Sequence, residues 1–135
     1  MSTLRLKVDE VTRKLMDDGQ VPVFVEGDTN VNKVRFAIPA GFTDIAIDAD
    51  TICRVMYLPP AAGDVVPSAD LTFAEQDGMY LYYDWDMAPT IFDASGSMPI
   101  ALCIYKDDGT VQGWHTVPYR ILIADSIHTA LRDHT

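Results

Sequence analysis

Short segments that alternate between apolar and polar residues recur along the whole chain, and turn signals separate them. The stretch MYLYYDWDM, residues 79–87, shows this rhythm most clearly. In an extended strand its odd-numbered side chains point to one side and its even-numbered side chains to the other. Such runs follow one another at intervals of roughly 8 to 14 residues, without a long segment of helical periodicity. The pattern is typical of an antiparallel β-sandwich or β-barrel with about eight or nine short strands and at most one or two short helical turns.

Glycines, prolines and Asp-Gly pairs mark the boundaries of these segments. The pair Asp77-Gly78 lies between two alternating runs, which favours a tight hairpin turn with a positive φ. A second hairpin is predicted within 106–114, and one helical turn is predicted near 89–94. The segment 44–48 fits either a short strand or a connection. The expected strands lie at 4–11, 22–25, 33–39, 50–60, 70–76, 79–87, 98–106 and 116–125.

The composition indicates a single globular domain. The 135 residues are 48% hydrophobic and 22% charged, which supplies a core and is unlike a disordered chain. We expect an N-terminal strand or arm over 1–19, a β-sandwich over 20–127, and a C-terminal tail or linker over 128–135 that fits a short helix or a frayed end.

The negative charge of the chain excludes several classes of partner. The net charge of −10 is spread along the sequence, so no cluster of Lys and Arg suggests binding to nucleic acid or to an anionic membrane surface. No run of 18 apolar residues could span a bilayer, and the N-terminus MSTLRLKVDE has no leader-like apolar stretch. We therefore expect synthesis in a cytoplasm and no membrane partner.

Large aromatic residues and both cysteines lie in runs that we expect to be buried. Phe36, Trp85 and Trp114 are the predicted core anchors, because aromatic rings fill the space between two sheets. Cys53 and Cys103 occupy apolar runs and are expected to be free, buried thiols, although a disulfide between sheets is an open alternative.

Tyr80, Tyr82, Asp84 and Asp86 share one side of the 79–87 strand and form the candidate interaction site. Tyrosine is enriched at protein interfaces, so contact between subunits is one interpretation; packing within the chain and stacking on a sugar ring are others. The aspartates, roughly 7 Å apart along the strand, also suggest the acid–base pair of a hydrolase. No apolar pocket is indicated that would separate their pKa values, so a solvated strand face is the simpler interpretation.

Other candidate motifs for chemistry are incomplete. His128 and His134 are not at the four-residue spacing of helical metal ligands, and His115 lies between apolar residues. Ser95 lacks the Gly-x-Ser-x-Gly context of an activated nucleophile. The acidic loop 28–30 could bind calcium, but it has no repeated Asp-x-Asp pattern. We expect no catalysis, no metal and no cofactor.

The order of several weak motifs resembles one family of phage proteins. VFVEGDTNVNKVRFAIP comes first, followed by TICRVMYLPPAAGD, MYLYYDWDM and APTIFDASGSMPIALCIYKDDGTVQGWHTVPYRILI. Over about residues 20–127, this order resembles the N-terminal domain of phage baseplate upper proteins and of related tail- or head-fibre attachment proteins. The motifs that carry the resemblance are Gly27-Asp28, Tyr83-x-Trp85, Gly96 and Trp114-x-Thr116.

The resemblance implies an immunoglobulin-like β-sandwich in the virion that anchors a fibre or receptor-binding module to baseplate or capsid, without catalysis. A longer C-terminal fibre normally follows such a domain, so 128–135 either leads into a missing fibre or ends a small stand-alone virion protein. Sandwich edges must be covered or paired, so we expect a homo-oligomer, a trimer or higher, that contacts other virion proteins. Strand 4–11 could add to a neighbour's sheet. The alternative function is a carbohydrate-binding module for a host surface glycan.

Overall fold

The computed structural model describes residues 2–28, 32–44, 47–48, 51–106 and 113–126. These residues form eleven β-strands and one 3₁₀ turn, Pro89–Asp93. The strands are β1 Ser2–Val8, β2 Leu15–Asp17, β3 Phe24–Val25, β4 Asn32–Pro39, β5 Thr51–Tyr57, β6 Val66–Pro67, β7 Thr72–Gln76, β8 Tyr80–Asp86, β9 Gly96–Lys106, β10 Gly113–His115 and β11 Tyr119–Ala124.

The strands form two sheets that enclose one core. The five-stranded sheet has the order β2-β1-β4-β8-β7, and the six-stranded sheet has the order β3-β11-β9-β5-β6 with β10 paired to β9. Inward side chains from both sheets meet in one buried apolar cluster. This arrangement confirms the predicted all-β sandwich.

Two strand pairs are parallel, so the sheets are mixed rather than wholly antiparallel. β1 runs parallel to β4, and β3 runs parallel to β11. After β1 the chain turns back as β2, crosses to the other sheet as β3, and re-enters the first sheet in the direction of β1. Alternation within a segment shows which side is buried, but it does not report the direction of the neighbouring strand.

The described residues form more strands than the eight or nine expected, because β2 and β6 were not predicted. These two strands have only three and two residues. Runs of this length are too short to show a measurable alternation in the sequence.

The segment predicted as an arm supplies β1 and β2. β1 lies between β2 and β4 of its own chain, and the side chains of Leu4, Leu6 and Val8 are buried in the chain's own core. Addition of this strand to a neighbour's sheet stays a prediction. The predicted tail, 128–135, lies outside the described residues.

The hairpin between β7 and β8 has the turn that the sequence predicted. The backbone N–H groups of Met79 and Tyr80 donate to Asp77 Oδ1 over 3.0 and 2.8 Å, and Gly78 has φ +87°. A residue with a Cβ atom is strained at this φ, which explains the glycine. Met79 is exposed although it belongs to the apolar set, because the strand begins only at Tyr80.

The second predicted hairpin joins β9 and β10, which pair in antiparallel register. Its connecting residues, 107–112, lie outside the described part of the chain. The predicted helical turn near 89–94 is the 3₁₀ turn Pro89–Asp93, whose Ile91 and Phe92 are buried.

The three aromatic residues predicted as anchors lie in the buried cluster. Phe36 is 0% exposed, and the rings of Trp85 and Tyr57 lie 5.0 Å apart. Trp114 packs edge-on against Phe42 at 4.8 Å, and its indole N–H donates to Asp44 Oδ2 over 3.0 Å. The Trp85–Tyr57 contact joins the two sheets, and the contacts of Trp114 join β10 to the segment that follows β4.

Both cysteines are free and buried, as the free-thiol interpretation expected. Cys53 pairs with Ile104 of β9, whereas Cys103 pairs with Arg54 of β5. Successive residues of a strand point to opposite faces, so Cys53 faces the core and Cys103 faces the outside of the sheet. Burial raises the pKa of Cys53 to about 12 and also raises the pKa of Cys103, so both thiols stay protonated at neutral pH.

Candidate functional site

The four residues of the predicted site lie on the outer face of the five-stranded sheet. Tyr83, Trp85 and Met87 point into the core, so the alternate residues of β8 point away from it. We call this surface the polar face. It consists of Arg5, Lys7, Lys33, Arg35, Glu75, Tyr80, Tyr82, Asp84 and Asp86.

The strand register places these side chains in rows across the sheet. In one row Arg5 of β1, Arg35 of β4 and Asp84 of β8 are successive partners. An adjacent row reads, from β2 to β7, Met16, Lys7, Ala37, Tyr82 and Glu75. Arg35 and Asp84 are opposite charges and stabilise the pairing of β4 with β8, whereas Arg5 and Arg35 are like charges on the neighbouring strands β1 and β4.

Asp84 is the centre of an ion-pair network. Its two carboxylate oxygens accept hydrogen bonds from Arg35 Nε and Nη2 over 2.8 and 3.0 Å, in the bidentate geometry that suits a guanidinium group. Arg35 also donates to Glu75 over 2.9 Å. Lys33 Nζ lies 3.6 Å from Asp84 and 3.8 Å from Asp86.

These contacts fix the charge of Asp84. The hydrogen bonds from Arg35 hold the pKa of the Asp84 carboxyl below its ordinary value, and Asp84 in turn raises the pKa of Arg35. The general acid of a glycosidase needs a raised pKa. Asp84 is therefore suited to hold its neighbours in place and unsuited to donate a proton to a substrate.

Neighbouring side chains contact both tyrosines of the polar face. Tyr82 donates its hydroxyl proton to Asp77 Oδ2 over 2.6 Å, and this hydrogen bond raises the pKa of Tyr82. The Arg35 guanidinium lies 5.7 Å from the Tyr82 ring centre, and Lys7 Nζ lies 5.1 Å from the Tyr80 ring centre. Both distances are within the range of a cation–π contact, so charged groups already lie against both rings.

A small hollow lies on the polar face above Ala37. Its volume is about 150 Å³, and its walls include the side chains of Arg5, Lys7, Met16 and Tyr82. Ala37 is buried although it points away from the core, because these longer side chains surround it. The hollow is below the roughly 300 Å³ of an ordinary small-molecule pocket.

Charge is divided across the polar face. The β1 side carries Arg5 and Lys7, neither of which forms an ion pair with a described residue. The opposite side, on β7 and β8, carries Glu75, Asp84 and Asp86. A chain with a net charge of −10 thus keeps a basic strip beside an acidic strip.

The acidic and aromatic side of this face was predicted from the sequence, whereas the basic side was not. Lys33 and Arg35 alternate with apolar residues on β4, as Arg5 and Lys7 do on β1. This shared pattern indicates that both strands have a basic outer side. It does not predict one basic surface, because nothing in the sequence shows that β1 and β4 are neighbours.

The other candidate residues are not assembled into a site. Among the residues that the structure describes, no three His, Cys, Asp or Glu side chains are grouped as metal ligands. Ser95 donates its hydroxyl proton to Asp125, and His115 is exposed on β10. His128, His134 and most of the loop 28–30 lie outside the described residues. No helix within the described ranges has the length and apolarity needed to cross a membrane.

The sandwich is similar in fold to a phage domain. The solved structure described as "N-terminal domain of phage TP901-1 ORF48" matches with a TM-score of 0.57 and 8% sequence identity. The match covers 92% of this chain and 99% of that chain. No protein-family model and no curated protein sequence matches the chain.

Proposed function

We propose that this chain is a structural component of a phage virion. In this proposal it is a non-catalytic adaptor domain that anchors a fibre or receptor-binding module to the baseplate or capsid. The observation that carries the proposal is the fold similarity to a phage N-terminal domain over nearly the full length of both chains. The order of sequence motifs, which resembles that of baseplate upper proteins, independently supports the same class of phage structural protein.

The chemistry of the polar face also supports a structural role. Its carboxylates Asp84, Asp86 and Glu75 are paired with Arg35 and Lys33, so they stabilise the sheet and present a fixed charge pattern. Fixed charges on a rigid sheet favour specific protein contacts, because complementary potentials select and orient a partner.

The alternative function, recognition of a host glycan, has weaker support. Sugar-binding tyrosines present a free ring face, whereas Arg35 and Lys7 already lie against the rings of Tyr82 and Tyr80. The hollow above Ala37 has room for about one side chain or one small substituent. A glycan array with the wild-type chain and Tyr82→Ala tests this alternative. If the tyrosines bind a sugar, the wild-type chain gives a signal on a specific glycan and Tyr82→Ala loses it.

Protein analysis of purified virions tests the proposed function. We expect peptides of this chain in particles of the encoding phage, in several copies per particle, sedimenting with the capsid proteins. Antibody labelling in the electron microscope should then place the chain at the tail or on the head. If the chain is absent from intact particles and stays in the soluble lysate, the proposed function is wrong.

A further inference from the structure

We infer that the outer face of the six-stranded sheet binds a second copy of this chain across a two-fold axis. We call this surface the apolar face. Its apolar residues are Ile52, Met56, Leu58, Val65, Pro99, Ala101, Cys103, Tyr105 and Leu122. The inference goes beyond the proposed function, which does not require a dimer.

The apolar face lacks the charged cover that the other sheet has. Val55, Leu102 and Ile121 point into the core, so the alternate residues of β5, β9 and β11 point outward. Leu122 is 69% exposed, and the three strands contain no Asp or Glu. Two copies of a chain with a net charge of −10 can therefore meet here without carboxylates opposing one another. An exposed apolar surface of this kind is typical of a protein interface.

Side chains of unequal size give the apolar face a groove and a ridge. Pro99 and Ala101 of β9 are short, whereas the neighbouring Met56 and Leu58, on β5 and just after it, are long. A hollow of about 230 Å³ lies here, and its walls include these four residues and Pro118. The groove along β9 thus lies directly beside the ridge along β5.

A two-fold axis can place each ridge in the groove of the other copy. The axis runs parallel to the strands, above the face and midway between β5 and β9, so it lays β5 of one copy over β9 of the other. Met56 is the register partner of Ala101, and the Leu58 N–H donates to the Pro99 carbonyl. The rotation keeps these levels, so Met56 and Leu58 enter the second copy's hollow. The contact occurs twice, because a two-fold interface is self-complementary.

The same axis brings opposite charges together at the rims of the face. In the order β11-β9-β5-β6 it lays β11 of one copy over β6 of the other. Arg120 of β11 is the register partner of Pro99, and Val65 lies beside Pro99 in the wall of the hollow. Asp64, next to Val65, is therefore within reach of the second copy's Arg120. Both residues are exposed, and neither forms an ion pair with a described residue.

Arg54, the other charged residue of the face, does not oppose this arrangement. Its Nε donates to Asp70 Oδ1 over 2.6 Å. The segment 68–71 follows β5 on the side away from β9, where the Ser68 N–H donates to the Val55 carbonyl. The guanidinium group is therefore directed away from the axis and is already neutralised.

The size of the apolar face suits a reversible dimer. Four strands about 4.8 Å apart, and about eight residues at ~3.3 Å each, cover roughly 19 by 26 Å, or about 500 Å². This area is below the ~800 Å² per partner of a standard interface. We therefore expect an association that depends on the concentration of the chain.

Sedimentation velocity with a charge placed in the contact tests the inference. We expect the wild-type chain to form dimers as its concentration rises to about 100 μM, and to keep them in about 500 mM salt, because salt screens the repulsion between two acidic chains. Met56→Glu should raise the dimer dissociation constant by roughly tenfold or more, because it buries an unpaired charge. Met79→Glu, the same change at an exposed methionine of the β7–β8 turn, should leave the constant unchanged.

A charge swap tests how the two copies are arranged. Arg120→Glu should raise the dissociation constant by roughly threefold or more, because the new carboxylate faces the second copy's Asp64. Arg120→Glu/Asp64→Arg in one chain should restore the wild-type value, since both rim contacts are attractive again. Circular dichroism must show that each variant is folded. If Met56→Glu does not fold, the charge swap decides.

Three results would overturn the inference. They are a wild-type chain that is monomeric at about 100 μM, a dimer that neither Met56→Glu nor Arg120→Glu weakens, and a charge swap that fails to restore the dimer. Any of these results with the chain still present in virions leaves the proposed function intact.

Discussion

Phe36→Ala is expected to destabilise the chain by about 3–5 kcal/mol, the cost of removing a buried aromatic ring and leaving a cavity. Phe36 is 0% exposed and lies in β4, the middle strand of the five-stranded sheet. The free energy of unfolding from urea denaturation, followed by tryptophan fluorescence, measures the loss. For a chain of this size the same change should also lower the melting temperature by many degrees.

Phe73→Ala is the matched control for this substitution. Phe73 lies on the edge strand β7 and is 50% exposed, and its ring contacts Tyr83 at 5.5 Å. Because half of its surface is already in water, we expect a loss of about 1 kcal/mol or less. Equal losses for the two variants would show that β4 is not at the centre of the core.

Asp84→Asn is expected to cost about 2 kcal/mol, because it removes the charge from the bidentate pair with Arg35. The Asp84 side chain is only 11% exposed, so water cannot fully replace the lost partner of Arg35. Asp86→Asn is the control: its side chain is 70% exposed and its ion pair is longer, so the urea midpoint should stay within error of the wild-type value.

The same pair predicts how stability depends on pH. Arg35 holds the pKa of folded Asp84 below the ordinary value of 3.8, so the unfolded state binds a proton more readily. The contribution of this pair is therefore complete above about pH 4 and is lost as the pH falls through the folded pKa. Urea midpoints measured from neutral pH down to strongly acidic pH should fall less steeply for Asp84→Asn than for the wild type. Parallel curves would contradict the assignment.

Local alternation was enough to predict the face that each residue of β8 presents. Tyr83 and Trp85 point inward and Tyr82 and Asp84 outward, because burial of one side is a property of the strand itself. The tight turn at Gly78 could also be predicted, because Asp-Gly between two alternating runs favours a hairpin turn in which the glycine has a positive φ.

The neighbours of each strand could not be predicted in this way. Arg35 and Asp84 are 49 residues apart in sequence, and no local rule joins them. The parallel pairing of β1 with β4 also depends on the path of the chain through the other sheet. The basic side of the polar face was therefore missed, although all of its residues were visible in the sequence.

We expect the polar face to contact protein in the assembled particle. Acetylation of lysine in intact virions and in the free chain shows whether this face is covered there. Lys7 lies on the polar face and Lys14 in the connection between β1 and β2, and both are exposed in the isolated chain. We expect Lys7 to be strongly protected in virions and Lys14 to react as in the free chain. Equal modification of Lys7 in the particle and in the free chain would contradict the account.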